Sequence, residues 1–141
     1  MMNRVSDFCF VIGSLTALLG VSLGIFMGVS QDHSLAPVHV HLNLIGWVSM
    51  FLFGLYYRTH PEAERGHAKF QVAIVAVGYA AMMGALTSLI LAPVDAAFPI
   101  AIAGSVLVWL GMALFAVIVW QTALAATRRH VLQQAHVTSP S

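Results

Sequence analysis

Read as apolar and polar positions, the chain divides into four long windows free of Asp, Glu, Lys and Arg: 8–31, 33–57, 70–94 and 96–127. Each reaches or exceeds the roughly 20 residues that carry an α-helix across the hydrocarbon layer. The pattern predicts helices over about 6–29, 37–57, 67–91 and 98–126, with short links and a polar tail over 128–141. The expected fold is all-α, an integral membrane four-helix bundle in a single domain. Within the first window Gly20, Gly24 and Gly28 repeat at every fourth residue, and Gly13 lies seven residues earlier on the same stripe. Such a stripe lets another helix approach closely. The third window is rich in Ala and Gly (Gly78, Ala81, Gly84, Ala85), and the fourth carries Gly104 and Gly111 on one side, so both are expected to pack tightly.

The second window breaks its own apolar pattern at its start. His39, His41 and Asn43 follow Pro37, which suits a first helical turn because its missing N–H costs nothing there. Polar groups at this depth are expensive in a membrane and mark a candidate site. Residues two apart on an α-helix differ by about 200° around the axis, so the two imidazoles point to nearly opposite sides. One stripe, His39, Asn43, Gly46, Met50, Phe53, Gly54 and Tyr57, holds small residues that admit a neighbour or a flat ligand. The other, His41, Leu44, Ile45, Val48, Leu52 and Leu55, is apolar beyond its histidine.

Composition agrees with a membrane protein: 60% of the 141 residues are hydrophobic and 8% charged, against about 25% charged in soluble domains. Charge adds an orientation. With four crossings, Arg4, Arg58, Arg65, Lys69, Arg128 and Arg129 all fall on the side of the termini and the second loop, whereas the first and third loops carry only Asp32 and Asp95. The positive-inside rule then makes both termini cytoplasmic in a cell inner (plasma) membrane, with the histidine pair toward the outer face. The apolar stretch of the first window exceeds that of a signal peptide and is read as a retained helix. A net charge of +1 with no basic patch gives no support to nucleic-acid binding, and the lone Cys9 has no partner for a disulfide. No nucleophile–base pair, paired carboxylates or phosphate loop supports hydrolase or transferase chemistry.

Imidazole is a common ligand for iron, copper and zinc, and bundle cofactors are held by side chains on facing helices. A diverging pair cannot easily supply both axial ligands to one iron within a chain. Across a cyclic oligomer, His39 of one copy and His41 of the next can flank one cofactor. The run Val38-His39-Val40-His41-Leu42-Asn43-Leu44-Ile45-Gly46-Trp47 resembles part of subunit I of the heme–copper oxidases. In that family twelve helices form three arcs of four, and a His-x-His pair ligates hemes in two adjacent pores. The resemblance implies a homotrimer, each interface holding one heme b between His39 and His41; it carries over to those two positions alone, and Asn43, Gly46 and Trp47 are candidates to line the cofactor because they stand beside the pair. It implies electron transfer, with a possible redox partner protein, or sensing of redox state or a diatomic gas. Pore-level histidines for the family's copper site are missing, so oxygen reduction is not expected. The triplet His60-Pro61-Glu62 is similar to a copper motif of the family but lies at the wrong membrane face. Heme propionates would have to meet His33, Asn43 or the amides at the start of helix 2, since no arginine is available at that end.

Two other functions fit the same residues. His33, His39, His41 and Met27 form an imidazole and thioether set that could bind or pass copper. Alternatively, the chain is a cofactor-free structural or assembly partner whose histidines only bridge helices.

Overall fold

The computed structural model describes residues 4–64 and 67–138; Arg65, counted above among the basic residues, lies outside them. Among the described residues the chain is all-helical, with no strand. Four helices are long and apolar enough to cross a membrane. We label them α1 (Val5–Ser30), α2 (Ala36–Thr59), α3 (Ala68–Leu91) and α4 (Ala97–Thr138). A single helical turn, Pro61–Glu64, sits in the second loop.

The fourth helix departs from expectation. It does not end near 126 but continues through the polar tail to Thr138. Its 42 residues span about 63 Å, roughly twice the hydrocarbon thickness, so it must project beyond the layer. Between Gly111 and Pro140 the sequence offers no glycine or proline, and alanines, arginines and glutamines keep the backbone helical after the apolar run ends.

The helices pair as two hairpins, α1 on α2 and α3 on α4. Glycines set the first contact. A methyl on Gly13 would meet Phe51, one on Gly20 would meet Asn43, and one on Gly24 would meet His39, whereas Gly28 faces open space. Gly78 and Gly104 bring the backbones of α3 and α4 together, with Gly111 against Val75 about two turns further along α4. The glycine stripes are therefore helix-packing surfaces.

The hairpins join around Phe115 of α4, whose ring lies 4.5 Å from that of Phe53 and 5.9 Å from that of Tyr57. A core of Cys9, Met50, Phe53, Tyr57, Val72, Val75 and Ile118 surrounds this point. Through it runs a buried polar relay. Tyr57 donates its hydroxyl to Gln71 Oε1 (2.9 Å), and Gln71 donates its amide to the Gly111 carbonyl (3.1 Å), tying α2, α3 and α4. At the same end Glu64 accepts from the Ser6 N–H (3.2 Å), and Arg58 pairs with Asp7 at 3.1 Å. The first residues of α1 and the second loop thus share one end, which also holds the described basic residues.

Candidate functional site

The histidines stand at the opposite end, in the first turns of α2. Regular α-helix runs only from Ala36 to His41; from Leu42 to Ser49 the backbone opens into a π-helix. Such wide turns are rare and recur at functional sites. Side chains support both ends of the stretch. Asn43 donates its side-chain amide to the His39 carbonyl (2.8 Å), and Ser49 donates its hydroxyl to the Leu44 carbonyl five residues back (2.7 Å). Short polar side chains that compete for backbone acceptors in this way favour departures from α geometry.

His39 and His41 fall in the regular turn, and their surroundings differ as the spacing predicts. His39 is half-buried against α1, its ring seated over Gly24 and its Nδ1 2.9 Å from the Gly20 carbonyl. His41 turns back on its own helix, with Nδ1 2.7 Å from the Pro37 carbonyl. A carbonyl oxygen only accepts, so both Nδ1 atoms carry the proton and donate. In the neutral rings each Nε2 then presents its lone pair. Metal-binding histidines are commonly oriented and held in one tautomer by this kind of N–H to carbonyl bond.

The other expected site residues divide. Asn43 lies in the α1–α2 notch over Gly20, its amide 3.4 Å from both His39 ring nitrogens. Gly46 is buried, and the groups that approach it are Tyr79 of α3 and Thr16 of α1, so its missing side chain admits neighbouring helices. Gly54 likewise admits Phe10 and Cys9. Trp47 is exposed on the outer side of α2, together with Leu44, Val48, Leu52 and Leu55, so the two stripes read from the sequence are the inner and outer faces of the helix. His33 is exposed in the first loop, its ring 3.3 Å from the Gln31 carbonyl, and Met27 is buried. His60, at the far end, stacks on Tyr56 with ring centroids 4.4 Å apart. Among the described residues, no three His, Cys, Asp or Glu side chains converge to hold a metal ion.

Three polar residues of the interior were not singled out as candidates: Gln71, Tyr79 and Thr16. Each is a hydrogen-bonding group within a charge-free window, the same signal that marks His39 and Asn43. Tyr79 is the most unusual, because its buried hydroxyl finds no partner among the described residues where it abuts Gly46.

These features define a four-helix protein of membrane-spanning character, with a splayed histidine pair at the head of a π-helical stretch. No family model, curated protein or solved structure matches the chain.

Proposed function

We propose that this chain is a membrane cytochrome that holds heme b between copies of itself, His39 of one copy and His41 of the next supplying axial nitrogens. The observation that carries this reading is the shared arrangement of the two rings. Each gives its Nδ1–H to a backbone carbonyl, at 2.9 and 2.7 Å, on its own side of α2; the Nε2 of His39 lies 3.4 Å from the Asn43 amide, which an incoming ligand would displace. His41 stands on the same side as the exposed apolar residues Leu44, Val48 and Leu52, a face from which it can meet a second copy.

In this reading three copies assemble around a threefold axis and resemble the twelve-helix oxidase subunit built from three arcs. Both termini are cytoplasmic, and the histidines lie toward the outer face of the plasma membrane. A bis-imidazole heme b exchanges single electrons, with a redox partner protein or as a sensor of redox state or a diatomic gas. The chain's own contribution is to fix two imidazole tautomers and exclude water from the intervening space. Gly24 and the Gly20 carbonyl orient His39, and Pro37 orients His41.

The test is an absorption spectrum of detergent-purified protein, oxidised and then reduced, with a hemochrome assay for stoichiometry. The expected result is a Soret band at one heme per chain, lost in His39→Ala and in His41→Ala. A colourless protein, or one that carries copper without a Soret band, refutes the proposal.

A further inference from the structure

At the basic end, far from His39 and His41, a cleft of about 220 Å³ opens between α4, the N-terminus of α3 and the Pro61–Glu64 turn. Its polar lining is Glu62, His67, Gln121, Thr122 and Arg129, and small alanines leave its floor open. Two features mark it as a place for a ligand of mixed charge. First, Arg129 and Glu62 line the same cleft yet do not pair; among the described residues the ion pair is Arg58 with Asp7. Second, a shallow apolar groove on the exposed face of α4, formed by Ala116, Val117, Trp120 and Gln121, shares Gln121 with the cleft and runs from it into the apolar part of the helix. The cleft thus spans the point where the apolar run of α4 gives way to Arg128 and Arg129. In a bilayer that level is occupied by phospholipid headgroups.

We propose that the cleft binds a phospholipid whose headgroup carries both a phosphodiester and a primary ammonium, that is, an ethanolamine phospholipid. The phosphate lies toward Arg129 and His67, where the guanidinium offers paired N–H donors. The ammonium lies toward Glu62, which a quaternary choline cannot approach with N–H donors. One acyl chain follows the groove beside Trp120. The groove is what favours a lipid over a soluble phosphate compound, since it adds apolar contact that only a lipid can use.

Native mass spectrometry of the full chain, released from detergent with equal amounts of ethanolamine, choline and glycerol phospholipids, tests the assignment. The expected result is retention of the ethanolamine lipid about five-fold over the other two, the ratio that one partly exposed ion pair supplies. Arg129→Gln should remove retention of all three. Glu62→Gln should keep binding but abolish the preference for ethanolamine over choline. Ala125→Leu, which fills the cleft without altering charge, should reduce retention as Arg129→Gln does. Equal retention of the three lipids by the unaltered protein, or an unchanged preference in Glu62→Gln, overturns the proposal. Displacement of the lipid by soluble phosphoethanolamine at the same concentration overturns the lipid assignment.

Discussion

Gly46 offers a sharp test of how the helices are held together, because three of them meet over its missing side chain. In Gly46→Ala the new methyl would overlap the Tyr79 hydroxyl, stand 2.7 Å from Tyr79 Cζ and 2.9 Å from Thr16 Cβ. Neither neighbour can retreat cheaply. Tyr79 is packed with Met82 and Val108, and Thr16 is anchored to α1 through its hydroxyl, which lies 2.9 Å from the Ile12 carbonyl and 3.0 Å from that of Gly13. Overpacking of this kind costs about 1–3 kcal/mol, while replacing a helical glycine with alanine returns up to about 1 kcal/mol. The clash wins, and a net loss of about 1–2 kcal/mol is expected. Gly28→Ala is the control: nothing stands within 4 Å of its methyl, so only the favourable propensity term remains.

The assay is unfolding in mixed micelles of increasing denaturing-detergent fraction, followed by circular dichroism. Tyr79→Phe supplies the second half of a double-mutant cycle. Alone it removes a buried hydroxyl without a partner among the described residues, so it should be neutral or stabilising by up to about 1 kcal/mol. Combined with Gly46→Ala it removes the atom nearest the new methyl. The two changes should therefore couple by at least about 0.5 kcal/mol in the restoring direction. If Gly46→Ala is as stable as Gly28→Ala, or the cycle shows no coupling, Tyr79 does not pack over Gly46 as described.

Other substitutions probe separate features. Gly24→Ala places a methyl 2.9 Å from His39 Cε1 and should lift the ring from its notch; under the proposed heme assignment, heme content should then fall several-fold more than stability does, and intact heme content argues against the role of His39. Gln71→Leu breaks two interhelical bonds, worth about 0.6 kcal/mol each, and strands the buried Tyr57 hydroxyl for a further 1–3 kcal/mol, so a loss of about 2–4 kcal/mol is expected, with partial recovery on adding Tyr57→Phe. Asp7→Asn removes an ion pair whose side chains are 48% and 33% exposed, and should cost under about 1 kcal/mol at low salt and nothing measurable at high salt. In the first loop the Ser34 backbone N–H, followed by its hydroxyl, holds the Asp32 carboxyl below the usual carboxylate range. A lowered pKa means that this contribution is full above the ordinary value and is lost as pH falls through the folded one, so in an NMR titration Asp32 should titrate below a free aspartate and move toward it in Ser34→Ala.

Much of the architecture is written in residue type, because charge and chain length alone decide what can cross a bilayer. The inner and outer faces of α2 were legible for a subtler reason. Lipid and protein interior are both apolar, so a membrane helix loses the amphipathic contrast that orients a soluble one. What survives is size and polarity: small residues where backbones meet, polar groups where they need partners. Gly20 and Gly24 therefore announced a close neighbour, and His39 and Asn43 announced that something would satisfy them. Which helix answers which glycine was not legible. Nothing in Gly78 names Gly104 as its partner, since the choice depends on crossing angle and on Met82 and Leu107 fitting alongside. The π-helix was hidden too, because it arises from a competition for acceptors that periodicity does not record.

That competition bears directly on the histidines. Where the helix opens, the His39 carbonyl accepts from the Leu42 backbone N–H. It accepts from the Asn43 side-chain amide as well (2.8 Å), which holds Asn43 in the Gly20 notch beside the His39 ring. Asn43→Leu keeps the volume but removes the donor, and offers two apolar methyls to the Gly20 backbone. The His39 ring should then lose its neighbour while His41, held within its own turn at 2.7 Å, is undisturbed. Nitrogen-15 spectra of the two imidazoles should show a changed Nδ1 environment for His39 alone. Equal changes in both rings would mean that the pair is positioned as one unit, and that the separate anchors to Gly20 and Pro37 are not what sets the rings apart.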